Sequence, residues 1–360
     1  MKSVLNKSIN AKLHLPLLLA LSLVSINCSR GDAESSVKSE DASAGGVSAM
    51  SPSQKTLFFA GMSNVAYCEE SQGCNVGESM RSEMEKLNLG NPLKGWKKSF
   101  ISARDAGKDV EGYVFSSKGS QDVVISFRGT ELDFSQGAWQ DIISTDLNMA
   151  QKHYDGPVIS GGAHMGFLEA MWGIYHPNEG GLDYVIQNHA LQGKRFHLTG
   201  HSLGGAIAVL TAAHLVNNGL EVGSVYTYGN PKLAAWDLQD TYNKSLGDKT
   251  FQYINMDDPI PHMPEMFHGV GQNIKIDNSG NQDLLPKDGV DGWNIFSVLM
   301  GGGGGLVFHD LANDYEGYYG SLKSIFSVEV PAEESAESSE AEGSQEEASE
   351  TTEEGSEEAA

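Results

Sequence analysis

The chain has 360 residues, with 48 acidic against 24 basic side chains, a formal net charge of −24 and three cysteines. So acidic a chain speaks against nucleic acid as a partner, because phosphate contacts need clustered lysine and arginine. The length allows one large hydrophobic core flanked by non-globular ends.

At the start, Lys2, Lys7 and Lys12 precede an apolar stretch from Leu13 to Ile26, and Cys28 follows. A basic start and about 14 apolar-rich residues read as a secretory signal over residues 1–27, too short to span a bilayer. The segment resembles a bacterial lipoprotein signal, with Ser25 and Asn27 standing where that pattern favours leucine and a small residue. The resemblance implies lipid on Cys28 and an N-terminal membrane anchor. With Ser29 next, it implies the outer membrane of a bacterium that has two. An ordinary cleaved signal and a secreted protein is the alternative.

Residues 28–52 carry almost no large apolar side chains and are expected to form a flexible tether. With Cys28 lipidated, Cys68 and Cys74 in "YCEESQGC" remain as a pair, and export permits a disulfide between them. Two cysteines are too few for a cysteine-only metal site, and no metal is expected. At the far end, the last 30 residues hold 12 glutamates and no lysine or arginine. They cannot bury a core, and residues 332–360 read as a disordered acidic tail.

Residues 53–331 therefore form the expected domain. Short apolar, β-branched runs mark strands at Glu111–Ser117, Asp122–Thr130, Arg195–His201, Val222–Pro231, Thr250–Asn255 and Asn273–Asn278. Helical patterns lie between them, in "GFLEAMWGIYH", "GGAIAVLTAAHLVNN" and "KLAAWDLQDTYNKSL". Strands that are apolar throughout and alternate with helices predict an α/β fold, with a mostly parallel central sheet covered on both faces.

One junction carries chemistry. "LTGHSLGGAIAVL" places Ser202 between a strand and a helix, with Gly200 and Gly204 two residues to either side. Gly-x-Ser-x-Gly at such a junction is a nucleophile elbow, where the bend is too tight for side chains at the glycine positions. A serine hydroxyl needs a base, and the base an orienting acid, in the chain order Ser, Asp or Glu, His on this fold. Asp258 in "NMDDPIPHMP" fits the acid, with Asp257 as runner-up. His309, after the glycine run 301–305, fits the base and is expected on a helix over 306–322. His214 falls before any acid, and His262 and His268 follow the acid too closely, so these three read as structural. The oxyanion hole needs two backbone N–H groups, one from Leu203 and one from Thr130 in "SFRGT".

"SFRGT", "HMGFLEAM", "LTGHSLGGAIAVL", "YTYGNPKL", "NMDDPIPHMP", "FHGVGQNIKI" and "FHDLANDYEGYY" resemble, in order, the successive blocks of the class 3, fungal-lipase-like branch of the α/β hydrolases. The resemblance implies a Ser202–Asp258–His309 triad, an oxyanion hole at Thr130 and Leu203, and cofactor-free cleavage of carboxylic esters, usually acylglycerols. Phospholipase A1 or feruloyl-type esterase activity would use the same triad. An inert hydrolase fold serving as a surface adhesin is the reading from another class. The segment after "FRGT" departs from the family, and Trp139, Ile142, Ile143 and Leu147 there would give a lid an apolar stripe.

Overall fold

A computed structural model describes residues 46–103, 110–129, 150–255, 258–285 and 308–326. Its strands are β1 (Lys97–Ser102), β2 (Glu111–Ser116), β3 (Asp122–Phe127), β4 (Gln151–Tyr154), β5 (Gly161–His164), β6 (Arg195–His201), β7 (Glu221–Tyr228), β8 (Thr250–Asn255), β9 (Gln272–Ile276) and β10 (Gln282–Leu284). Eight form one sheet in the order β1-β2-β3-β6-β7-β8-β9-β10, and β4 pairs with β5 in a separate hairpin. From β3 to β9 the neighbours are parallel, while β1, β2 and β10 add antiparallel edges.

The six apolar runs are β2, β3, β6, β7, β8 and β9. β1 and β10 escaped sequence reading because "KKSFIS" and "QDL" are polar edge strands with little to bury.

The helices are α1 (Pro52–Val65), α2 (Val76–Lys86), α3 (Met165–Ile174), α4 (Leu182–Asn188), α5 (Leu203–Asn217), α6 (Trp236–Leu246) and α7 (Tyr318–Phe326). Alternate strand residues feed two cores. Val123, Ile125 and Leu198 pack with α3 to α6. Val124, Tyr226, Tyr228 and Tyr253 pack with α1, α2 and α7. The α/β-hydrolase expectation of helices on both faces is met. α5 lies close to the sheet because its first turns are glycine and alanine, nearly all buried.

α1 has no polar face to announce it, since Phe58, Phe59, Ala60 and Met62 are all fully buried. Its start is set by a capping box and by Pro52 at the first helical position. The Ser51 hydroxyl accepts from Gln54 N at 3.2 Å, and Ser51 N donates to Gln54 Oε1 at 2.9 Å. Residues 46–52, expected as the end of a flexible tether, are instead packed on the folded body. Val47 is fully buried, and Ser48 donates to Asp122 from its N–H at 2.8 Å and from its hydroxyl at 2.7 Å. His197 Nε2 also donates to Asp122, at 3.3 Å. Burial raises the Asp122 pKa, but the bonds from His197 and Ser48 outweigh it and hold the carboxyl well below its usual range.

Candidate active site

β6 ends at His201 and α5 begins at Leu203, so Ser202 sits alone on the bend. Its φ of 55° and ψ of −129° are a conformation that side-chain-bearing residues rarely adopt. Ser202 N donates to Tyr228 O on β7 at 3.0 Å and fixes the bend to the sheet. The flanking glycines are required by close approach. A Cβ on Gly200 would lie 2.7 Å from Gly205 N, and one on Gly204 would lie 2.8 Å from the Arg128 carbonyl carbon. Leu203 opens α5, whose first N–H groups have no intrahelical partner and form the positive end of the helix dipole.

Asp258 follows β8 and is fully buried. Its Oδ1 accepts from Ile260 N at 2.9 Å. Its Oδ2 accepts from His309 Nδ1 at 2.8 Å and from the Tyr318 hydroxyl at 2.6 Å. Nδ1 must carry the proton in the bond to a carboxylate, which makes Nε2 the basic nitrogen of His309. Burial, then the nearby Asp258 charge, push the Tyr318 phenol well above its ordinary pKa, so it remains a donor.

His309 is 1% exposed and does not lie on a helix of the expected length. α7 starts only at Tyr318. Asp310 Oδ1 accepts from Ala312 N at 3.0 Å, and Asn313 Oδ1 accepts from Tyr315 N at 2.9 Å and Glu316 N at 3.0 Å. These side-chain bonds give the backbone turns in place of helix. Asn255, the last residue of β8, fastens both ends of the loop. Its Nδ2 donates to Phe308 O at 2.9 Å and Glu316 O at 2.7 Å.

Asp258 and His309 thus meet as expected. His309 also lies against the elbow: its ring centroid is 4.5 Å from that of His201, the residue before Ser202. His214 is packed among Tyr154, Trp172 and Tyr175, His262 lies in a short 3₁₀ turn, and His268 lies tilted against Trp236 with ring centroids 3.7 Å apart. Thr130, the runner-up Asp257, Cys28 and the lid stripe from Trp139 to Leu147 lie outside the described residues. Cys68 and Cys74 are bonded to each other. Between them, Glu69 pairs with buried Arg128, which also meets Glu111 at 3.3 Å.

Sequence reasoning missed Tyr318, Asn255 and Gly229. Only Gly229 had a local signal, the turn "YGNP". Its φ is +64°, and a Cβ there would lie 2.8 Å from Asp258 Oδ2 and 2.9 Å from His309 Nδ1.

An elbow serine, with a buried carboxylate holding a histidine beside it, is the arrangement of a serine hydrolase. Residues 124–268 match the model of the lipase (class 3) family. That match spans β3 to the loop before β9 and contains the elbow and Asp258. Two curated relatives show similarity to parts of this chain. The secreted mono- and diacylglycerol lipase 1 of Fusarium solani is 30% identical over 161 residues, covering 44% of each chain. Phospholipase A1-II 1 of Oryza sativa subsp. indica is 25% identical over 238 residues, covering 58% of each. The chain thus spans about half the length of these relatives. Among solved structures, lipase II from Rhizopus niveus aligns with a TM-score of 0.52 at 22% identity, over 68% of this chain and 89% of that one. That likeness concerns the fold.

Proposed function

We propose that the chain is a serine carboxylic-ester hydrolase that cleaves acylglycerols, most simply a triacylglycerol lipase or esterase. The observation that carries the reading is the buried Asp258–His309 bond of 2.8 Å, set beside a serine on a strand-to-helix elbow. The Ser202 hydroxyl attacks the ester carbonyl while His309 Nε2 takes its proton. Asp258 holds the ring and stabilises the imidazolium. The Leu203 N–H, with Thr130 as the second donor, receives the oxyanion. His309 then returns the proton to the leaving alcohol. Water, activated by the same nitrogen, releases the fatty acid from Ser202.

Phospholipase A1 activity is the second reading. The resemblance to the rice protein favours it, and the triad would serve both. Labelling by a fluorophosphonate probe, abolished in Ser202→Ala, tests the nucleophile. Rates on tributyrin, triolein, phosphatidylcholine and methyl ferulate then rank the substrates. A wild-type protein that takes no label and cleaves none of the four refutes the reading.

Export and a lipid anchor on Cys28 belong to the same proposal. The bonded Cys68–Cys74 pair supports an oxidising compartment. Fatty-acid labelling of the wild type, absent in Cys28→Ala, tests the anchor, and no label on the wild type rejects it.

A further inference from the structure

His201 occupies the variable position of the Gly-x-Ser-x-Gly bend and is 5% exposed. A residue there could simply fill space. Its ring instead bonds at both nitrogens, to partners far apart in the chain. The Tyr67 hydroxyl is 2.9 Å from Nδ1, and the His309 carbonyl oxygen is 2.7 Å from Nε2. A carbonyl only accepts, so Nε2 carries the proton, and Nδ1 accepts from the tyrosine.

We propose that His201 is a positioning residue for His309: its Nε2–H holds the His309 carbonyl, and the Tyr67 hydroxyl fixes the tautomer that makes this bond. The inference rests on the ester-hydrolase reading of the site.

Asp258 holds the His309 ring through one atom, Nδ1. A ring held there alone still turns with its backbone, and the backbone that follows is a run of turns rather than a helix. The bond to the carbonyl fixes that pivot. The rings of His201 and His309 also lie against each other, with centroids 4.5 Å apart, and the edge of Tyr318 meets His201 at 6.0 Å. Burial first, and the His309 charge second, hold the His201 pKa well below its usual value, so the ring stays neutral while its neighbour takes up a proton.

Tyr67 joins a third part of the site. A Cβ on Gly129, the residue before Thr130, would collide with the Tyr67 hydroxyl and would also lie 2.7 Å from His201 O. One hydroxyl therefore sits where the strand leading to the oxyanion segment meets the elbow.

Two near-isosteric replacements separate positioning from packing. In His201→Gln the amide nitrogen falls where Nε2 stood and can still donate to the His309 carbonyl. In His201→Asn it falls where Nδ1 stood and cannot. On p-nitrophenyl butyrate, kcat of the asparagine variant should fall about 10- to 100-fold, the scale of a misplaced catalytic group. KM should hold, and the rate of fluorophosphonate labelling should fall in parallel. The glutamine variant should recover most of both rates. Tyr67→Phe removes one oxygen, and its kcat should fall by less, again at constant KM. In a His309→Ala background the asparagine substitution should add little, since there is no imidazole left to place.

Equal kcat for the glutamine and asparagine variants, with both melting like wild type, overturns the proposal. So does a loss confined to KM, or a full additional loss in the His309→Ala background. If neither His201 variant folds, an unchanged kcat in Tyr67→Phe overturns it. A wild-type protein that takes no label defeats the underlying ester-hydrolase reading instead.

Discussion

Tyr318 and His309 share one oxygen of Asp258, the tyrosine hydroxyl at 2.6 Å and the imidazole Nδ1 at 2.8 Å. The carboxylate is fully buried, so each donor replaces a water that cannot reach it. Tyr318→Phe should lower folding stability by about 1.5–3 kcal/mol, the range for a hydrogen bond to a charged group. Its kcat should fall, by less than in Asp258→Ala. Denaturant unfolding and ester hydrolysis check the two parts, and a variant equal to wild type in both removes Tyr318 from the account.

Gly229 forms the wall behind the same pair. Gly229→Ala brings a Cβ against both Asp258 and His309 and places alanine at a φ of +64°. The pair must separate or turn, and kcat/KM should drop by about 10². Steady-state kinetics with a melting curve tests this. A variant that melts lower but keeps its kcat/KM would show that the wall tolerates a methyl group.

These two residues show what the sequence could and could not reveal. Ser202 was legible because strand, bend and helix are contiguous and the glycines mark the bend. Asp258 and His309 were legible through their order along the chain and the family resemblance. Tyr318 and Asn255 were not, since each acts across more than 50 residues, on groups that no local pattern connects to it. α1 gives the sequence no amphipathic period to read, because beyond its first turn it is buried on nearly every side. The helix expected over 306–322 starts only at Tyr318, because Asp310 and Asn313 spend their side chains on capping turns, which no periodic pattern reveals.

The disulfide closes a loop whose residues reach the site. Cys68 O accepts from the Tyr113 hydroxyl at 2.6 Å, Glu69 pairs with Arg128, and Tyr67 precedes the loop. Replacing both cysteines by alanine should cost about 2 kcal/mol by the loop-entropy relation. Mild reductant should lower the wild-type melting temperature toward that of the double variant and leave the variant unchanged. Identical melting of reduced and oxidised wild type would mean that the bond contributes nothing.

Two buried histidines make stability depend on pH. Burial lowers the pKa of His164 to about 4, and burial followed by the charge of His309 lowers that of His201 well below 6.5. Below pH 6.5 the unfolded chain binds protons that the folded one refuses. Their contribution is complete above pH 6.5 and is lost as the pH falls below it, for His164 over the range down to about 4. Each histidine adds a slope of about 1.4 kcal/mol per pH unit. His164→Gln should flatten the curve by one proton's worth. Unfolding free energies between pH 7 and 4.5 decide it, and a flat wild-type curve would count against both assignments.

Asp122, which holds Ser48, begins β3, and Arg195, its parallel neighbour, begins β6, whose other end leads into Ser202. The seven residues of β6, about 23 Å, separate the end of the sheet where Ser48 is held from Ser202. A bead or sensor chip coupled ahead of Gly46 would therefore grip the molecule by its base, leaving the rim that carries Ser202 turned outward toward whatever droplet or vesicle is offered to it.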